Sequence, residues 1–227
     1  MVFLENVGHI HGLPLPQWTQ NTIDFVTEEY AKLLLWWHGA YTRYDRVIVL
    51  EDADATGAHL VDALVDLGSD YLTDMLLLVH GRPGSLVGYL DQTHVDAATF
   101  GQLETIYRHN PHAFRLRMVY GVNCYGVSLA PTWLRLGAQT VNGACGVNWL
   151  PEPSLSTFLR HWLNGARFSV AVEKSHRRGL QWGRRIWRPD AEGNDHLRIA
   201  GSRQIIFGTR DVTIESGIAR DYTTLQP

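Results

Sequence analysis

Apolar runs of strand length alternate with amphipathic stretches of helix length along most of this chain. A short strand near Val2 to Ile10 is followed by a Pro-punctuated loop from Leu13 to Pro16. Ile23, Val26, Tyr30, Leu33, Leu34 and Trp37 then recur at helical spacing and predict a helix over about Thr22 to His38. Arg46 to Leu50 is a short continuous apolar run, the pattern of a strand covered on both faces. Thr56 opens a second helix whose stripe is Leu60, Val61, Leu64, Val65 and Leu67, and Gly68 stops it. Strand Met75 to Val79, a loop holding Gly81, Gly84 and Gly88, and a helix from Ala97 to His109 come next.

The alternation continues through strand Arg115 to Tyr120, a turn or short helix carrying Trp133 and Leu134, and strand Gln139 to Ala144. Pro151 and Pro153 precede a helix over Leu155 to Leu163, and a last strand covers Arg203 to Phe207, before Gly208 and Asp211 to Ile214. Repeated strand–helix–strand order implies parallel pairing by right-handed crossovers, with helices on both faces of one sheet. The expected fold is therefore α/β with a mostly parallel central sheet. At 227 residues and 25.7 kDa the chain fits one domain, 1–227, with its core over about 45–214.

Composition narrows the function. The chain is 45% hydrophobic and 19% charged, with a net charge of -3, which excludes disordered and strongly phosphate-binding classes. Two cysteines are too few for a disulfide framework, which predicts a reducing, cytoplasmic setting. No apolar run approaches the roughly 20 residues of a membrane span, so no membrane partner is expected. Lys174 to Arg188 holds six Lys and Arg side chains interleaved with Trp182 and Trp187. Such a run most often forms a solvated face or a protein contact, and nucleic acid is not the expected partner.

Two strands end at reactive side chains, Asp74 to His80-Gly81 and Phe114 to Cys124-Tyr-Gly126. In an open parallel sheet both carboxyl ends lie on one edge, where such folds place their sites. A thiol with its ordinary pKa of about 8.5 is mostly protonated at pH 7, so a nucleophilic cysteine needs a base or a local field. His80 supplies the base, and a helix starting near Tyr125 would direct free amides at the sulfur. Gly81, lacking a side chain, lets a substrate carbonyl approach its N–H. The Gly81 and Cys124 amides would then form an oxyanion hole, in which losing one donor costs about 3–4 kcal/mol of barrier.

The order of strand-His80-Gly81, helix, strand-Cys124, then Trp133-Leu-Arg-Leu-Gly-Ala-Gln-Thr-Val-Asn-Gly-Ala144, resembles the caspase-like cysteine peptidases, and among them the bacterial CHAT proteases. Val49 to Leu67 with Asp74, Phe158 to Gly165 with Ala171, and Ile205 to Gly208 with Val212 to Ile214 extend the likeness over about Val47 to Ile214. The resemblance implies a caspase-like fold, a His80–Cys124 dyad hydrolysing a protein or peptide substrate, an oxyanion hole at Gly81 and Cys124, and no cofactor or metal. It also implies control by a regulatory protein partner. Asn123 stands where the family usually has alanine or serine. Val122 occupies the position that in relatives cutting after charged residues is often an acid or amide, which points to cleavage after a neutral or apolar residue. Burying a leucine there contributes about 2 kcal/mol. Asn123 and Asn148 complete the expected substrate-binding set, with Asp52 and Asp54 as further side chains within reach of that pocket.

Rival readings remain at this level. Cys145, in Asn142-Gly-Ala-Cys-Gly146, is the competing thiol. An α/β-hydrolase would use Cys124 with Asp190 and His196, although its elbow wants glycine where Val122 stands. A metal site would draw on His9, His11, His59, His94, His109 and His112, which lack paired ligand spacing. A catalytically inactive caspase-like scaffold would bind a partner through the Trp/Arg-rich tail.

Overall fold

A computed structural model describes residues 1–6, 30, 32–88 and 94–217. Among these residues eight strands form one mixed sheet: β1 (Val2–Asn6), β2 (Ile48–Leu50), β3 (Leu72–Arg82), β4 (Ser85–Val87), β5 (His94–Val95), β6 (Arg115–Gly121), β7 (Thr140–Ala144) and β8 (Gln204–Gly208). Its main path runs β2-β1-β3-β6-β7-β8. Neighbours along that path are parallel except β8, which runs antiparallel to β7. The upper part of β3 also pairs antiparallel with β4, and β4 with β5.

Strand alternation drives two cores. Met75, Leu77 and Val79 of β3 point to one face, where they meet helices α2 (Gly57–Leu67), α3 (Ala97–His109) and α4 (Ala130–Arg135), which follows the short α1 (Ala40–Arg43) by way of α2 and α3 in the chain. Leu76 and Leu78 point to the other face, against α5 (Ser154–Leu163) and α6 (Phe168–Ile186). α7 (Leu197–Gly201) precedes β8. Both faces of the central strands are buried, which is why their sequences read as continuous apolar runs rather than alternating ones. Helix limits follow their caps. The Thr56 side chain accepts from the His59 N–H at 3.2 Å, and Asp96 accepts from Ala98 and Thr99 at 3.0 and 3.4 Å.

Four features depart from the sequence expectations. β3 extends beyond Val79 through His80 and Gly81, because the segment assigned to a glycine-rich loop folds back as β4 and keeps the ladder going. The last strand is antiparallel to β7, and two long helices, α5 and α6, rather than a single crossover helix lie between them in the chain. Most of the basic run Lys174 to Arg188 lies in the longest described helix, which spans residues 168–186. Its buried stripe of Phe168, Ala171, Val172, Ser175, Gly179 and Gly183 is mostly small residues, which carry no aliphatic period. Among residues 32–37 of the first helix, Leu34 and Leu35 are buried while Leu33 and Trp37 are exposed, so the packed side is displaced from the predicted stripe. The loop at 13–16 and most of that helix lie outside the described residues.

A buried ion pair joins the sheet to α5. Thr73 pairs with Leu116 and Asp74 with Met118, so Arg117 is the extra residue of a β-bulge. The bulge re-aims Arg117 so that its Nε and Nη2 donate to the two Asp74 oxygens at 2.8 and 2.7 Å. Tyr44 Oη and Trp162 Nε1 donate to the same carboxylate at 2.5 and 3.1 Å, and the remaining guanidinium nitrogen reaches the carbonyls of Ile214 and Ser216. Both charges are sealed from water. Removing one partner strands the other, at a cost of about 3–5 kcal/mol. Asp74→Ala is expected to lose that much in denaturant-unfolding free energy; a loss below about 1 kcal/mol would contradict a fully satisfied buried pair.

Candidate active site

The site grows from the point where β3 and β6 stop being neighbours in a regular ladder. Leu77 pairs with Gly121, and the Val122 N–H still donates to the Leu77 carbonyl at 3.0 Å. Three residues further along each strand stand His80 and Cys124. The two chains remain in contact there. A Cβ added at Gly81 would lie 2.3 Å from the Cys124 carbonyl oxygen and 3.1 Å from Asn123 Nδ2, closer than any side chain fits. Glycine at position 81 is therefore what lets the histidine strand and the cysteine turn approach.

The turn itself is held from three directions. Tyr125, directly after Cys124, has φ 54° and ψ 26°, a left-handed conformation that costs a non-glycine residue on the order of 1–3 kcal/mol. Its N–H donates to the Gly146 carbonyl at 2.8 Å, which fixes the bend. β6 and β7 share ladder pairs only at Met118–Thr140 and Val119–Val141. Beyond them the Asn142 side chain replaces the missing ladder, its Oδ1 accepting from the Gly121 N–H at 3.0 Å and its Nδ2 donating to the Gly121 carbonyl at 3.1 Å. The same Nδ2 reaches Gln204 Oε1 at 2.7 Å. Gly143 then packs backbone to backbone on Gly126, with 2.3 Å between a hypothetical Cβ and the Gly126 carbonyl carbon.

The loop after β7 completes the site. Asn148 donates its backbone N–H to Cys124 Sγ at 3.3 Å and its side-chain Nδ2 to the Val122 carbonyl at 2.6 Å. One residue thus supports the cysteine turn from below and supplies a donor to the sulfur. This corrects the expectation of amides from a helix beginning near Tyr125. The chain there makes only a single 3-10 turn, Gly126–Ser128, ahead of the six-residue α4, and the amide on the sulfur comes from a different segment.

Among the expected substrate-binding residues, Asn148 lies against the sulfur, and Asn123 is buried with its Nδ2 on the Cys124 carbonyl at 3.2 Å. Val122 is only 4% exposed and belongs to the apolar layer with Leu155 and Phe158, so its carbonyl rather than its side chain faces the loop. Asp52 and Asp54 lie on an exposed 3-10 turn, where Asp54 pairs with His59. Cys145 is exposed and its N–H continues the ladder to the Arg203 carbonyl at 2.9 Å. The groups of the hydrolase reading are engaged elsewhere: Asp190 accepts from Asn194 in its own turn, and His196 accepts from the Arg198 N–H at the start of α7. Among the described residues no group of three or more His, Cys, Asp or Glu is placed to hold a metal ion. His9 and His11 lie outside those residues.

Sequence reasoning missed Asn142, Asn148's role as donor, and Glu5. Glu5 pairs with Leu78, and residues 78 and 80 share a face of β3, so this fully buried carboxylate stands on His80's side of the sheet. A lone acid within Val-Phe-Leu-Glu-Asn was the available signal. Under the site, Tyr120 donates to or accepts from Ser175 Oγ at 2.7 Å, and burial pushes its phenol above the ordinary range. Burial likewise pushes the Glu152 carboxyl up, a shift opposed by its hydrogen bonds with Ser156.

Comparison with models of known protein families finds no match, and neither does a search of curated proteins. No helix among the described residues is long and apolar enough to cross a membrane.

Gly81→Ala is expected to force the strand and the turn apart by the overlap with the Cys124 carbonyl. Its thermal midpoint should fall by several degrees and the alkylation rate of Cys124 should change at least threefold, while Gly101→Ala, on the exposed side of α3 where a Cβ meets nothing, leaves that rate unchanged. An unaltered Cys124 rate in Gly81→Ala would contradict the close approach.

Proposed function

We propose that this protein is a cysteine endopeptidase of caspase-like architecture, in which His80 and Cys124 form the catalytic dyad. The observation that carries the reading is the contact between Gly81 and the Cys124 carbonyl, which brings the residue next to each strand tip into one place. The mostly parallel sheet with helices on both faces is the framework the resemblance implies, and the Asn148 N–H at 3.3 Å from Sγ gives a charged sulfur a donor.

In this mechanism His80 takes the thiol proton as Cys124 Sγ attacks the scissile carbonyl carbon. The developing oxyanion is met by the Gly81 and Cys124 amides. His80 then returns the proton to the leaving amine as the C–N bond breaks, leaving a thioester on Cys124. Water, deprotonated by His80, adds to the thioester carbon, and the acyl group leaves as a carboxylic acid with the thiol restored. The left-handed Tyr125 fixes the bend directly after the nucleophile. Substrate is a partner protein cut after a neutral or apolar residue, a reading supported by the uncharged Asn148, whose backbone amide lies on the sulfur. Control by a regulatory partner belongs to the same proposal.

A cleavage profile over a proteome-derived peptide library tests it. Wild type is expected to cut after neutral or apolar residues, and Cys124→Ala and His80→Ala each to lose at least a thousandfold in kcat/KM. Cleavage confined to charged residues would overturn the specificity, and equal cleavage by Cys124→Ala would overturn the dyad.

A further inference from the structure

Trp149, the residue after the one whose amide touches Cys124 Sγ, is 46% exposed and belongs to a stacked cluster. The Arg198 guanidinium lies 4.6 Å from the Trp149 ring centroid and 5.6 Å from that of Trp187. Trp149 and Trp187 meet edge to face with centroids 6.4 Å apart, and His196 stacks on Trp187 at 6.5 Å. Ser202 locks the cluster, its Oγ accepting from the Trp149 N–H and donating to the Arg198 carbonyl, each at 2.9 Å. The arginine is exposed yet held in place between two indoles, which leaves the edge of its planar fork to a ligand.

The surroundings select the sign of that ligand. Residues 174–203 carry eight Lys and Arg against three Asp and Glu, a surplus of five in a chain whose net charge is -3. Lys174, Arg177, Arg178, Arg185 and Arg188 are all exposed on or just beyond α6, opposite its buried stripe. One arginine already shows the mode of recognition: Arg184 grips Asp195 with its Nε and Nη2 at 2.7 and 2.9 Å, side-on to both carboxylate oxygens. Within the cluster Arg198 lies over both indoles and His196 stacks on Trp187, and the free guanidinium edge suits carboxylates.

We infer that the Trp149–Arg198–Trp187 cluster and the basic face of α6 form a docking surface for an acidic segment of a peptide partner. The surface lies beside Cys124 and works whether or not bond cleavage follows. Glutamates on the partner meet Arg198 at the cluster, and their neighbours meet the exposed arginines of α6.

The test uses the full chain carrying Cys124→Ala, so that binding is read without turnover. A fluorescein-labelled peptide of nine residues rich in glutamate is titrated by anisotropy beside its glutamine counterpart and a thymidine oligonucleotide. Binding of the glutamate peptide alone is expected, weakening as salt rises. Adding Arg198→Ala should weaken it about tenfold, the loss of one charge-assisted hydrogen-bond pair. Arg198→Glu should abolish it, both variants keeping the parent's thermal midpoint. No binding of the glutamate peptide, equal binding by Arg198→Ala, or tighter binding of the oligonucleotide would each overturn the inference.

Discussion

The close approach of Gly81 to the Cys124 carbonyl is the constraint on which the candidate site depends. A β-sheet holds neighbouring strands about 4.8 Å apart by ladder hydrogen bonds. At the carboxyl edge that ladder has ended, and the missing side chain of Gly81 lets the histidine strand and the cysteine turn stay close. Every other device nearby serves the same contact. Asn142 replaces the vanished β6–β7 pairing, Gly143 admits the turn, and Asn148 braces it from the following loop.

Precision at that edge requires a sheet that does not slide. The bulge at Arg117 and its pairing with Asp74 fix the register of β3 on β6 at their other end, and the pair ties both strands to Trp162 of α5 and to Tyr44. A register slip by one residue would turn His80 to the opposite face. It would also bury Arg117 without its carboxylate. The buried ion pair therefore specifies alignment, a role for which its desolvation cost is acceptable even where an apolar pair would be as stable. The site's geometry is set at one end of the strands and used at the other.

The fold class was legible because fully buried strands and capped helices leave strong local signals: the apolar run at 75–79, and Thr56 and Gly68 around α2. What stayed hidden was non-local. α6 buries glycine, serine and alanine, residues whose helical period is invisible on a hydrophobicity scale, while its charged face dominates the composition. The hairpin beyond His80 depends on pairing between separated segments, and a bulge such as that at Arg117 has no sequence marker of its own. For the candidate site, strand ends alone pointed to His80, Gly81 and Cys124. Asn148's contact with the sulfur depends on how the loop after β7 returns past β6, which only the fold reveals.

The most direct test of the proposed His80–Cys124 dyad is the rate at which iodoacetamide labels each cysteine of the native protein, followed by peptide mass spectrometry. Cys145 is the more exposed of the two thiols, so accessibility alone would make it react first. A sulfur activated by a neighbouring imidazole reverses that order. Labelling of Cys124 is expected to outpace Cys145 by at least tenfold at neutral pH, and His80→Ala to erase the difference. Equal slow labelling of both, or a Cys124 rate indifferent to His80, would contradict the account.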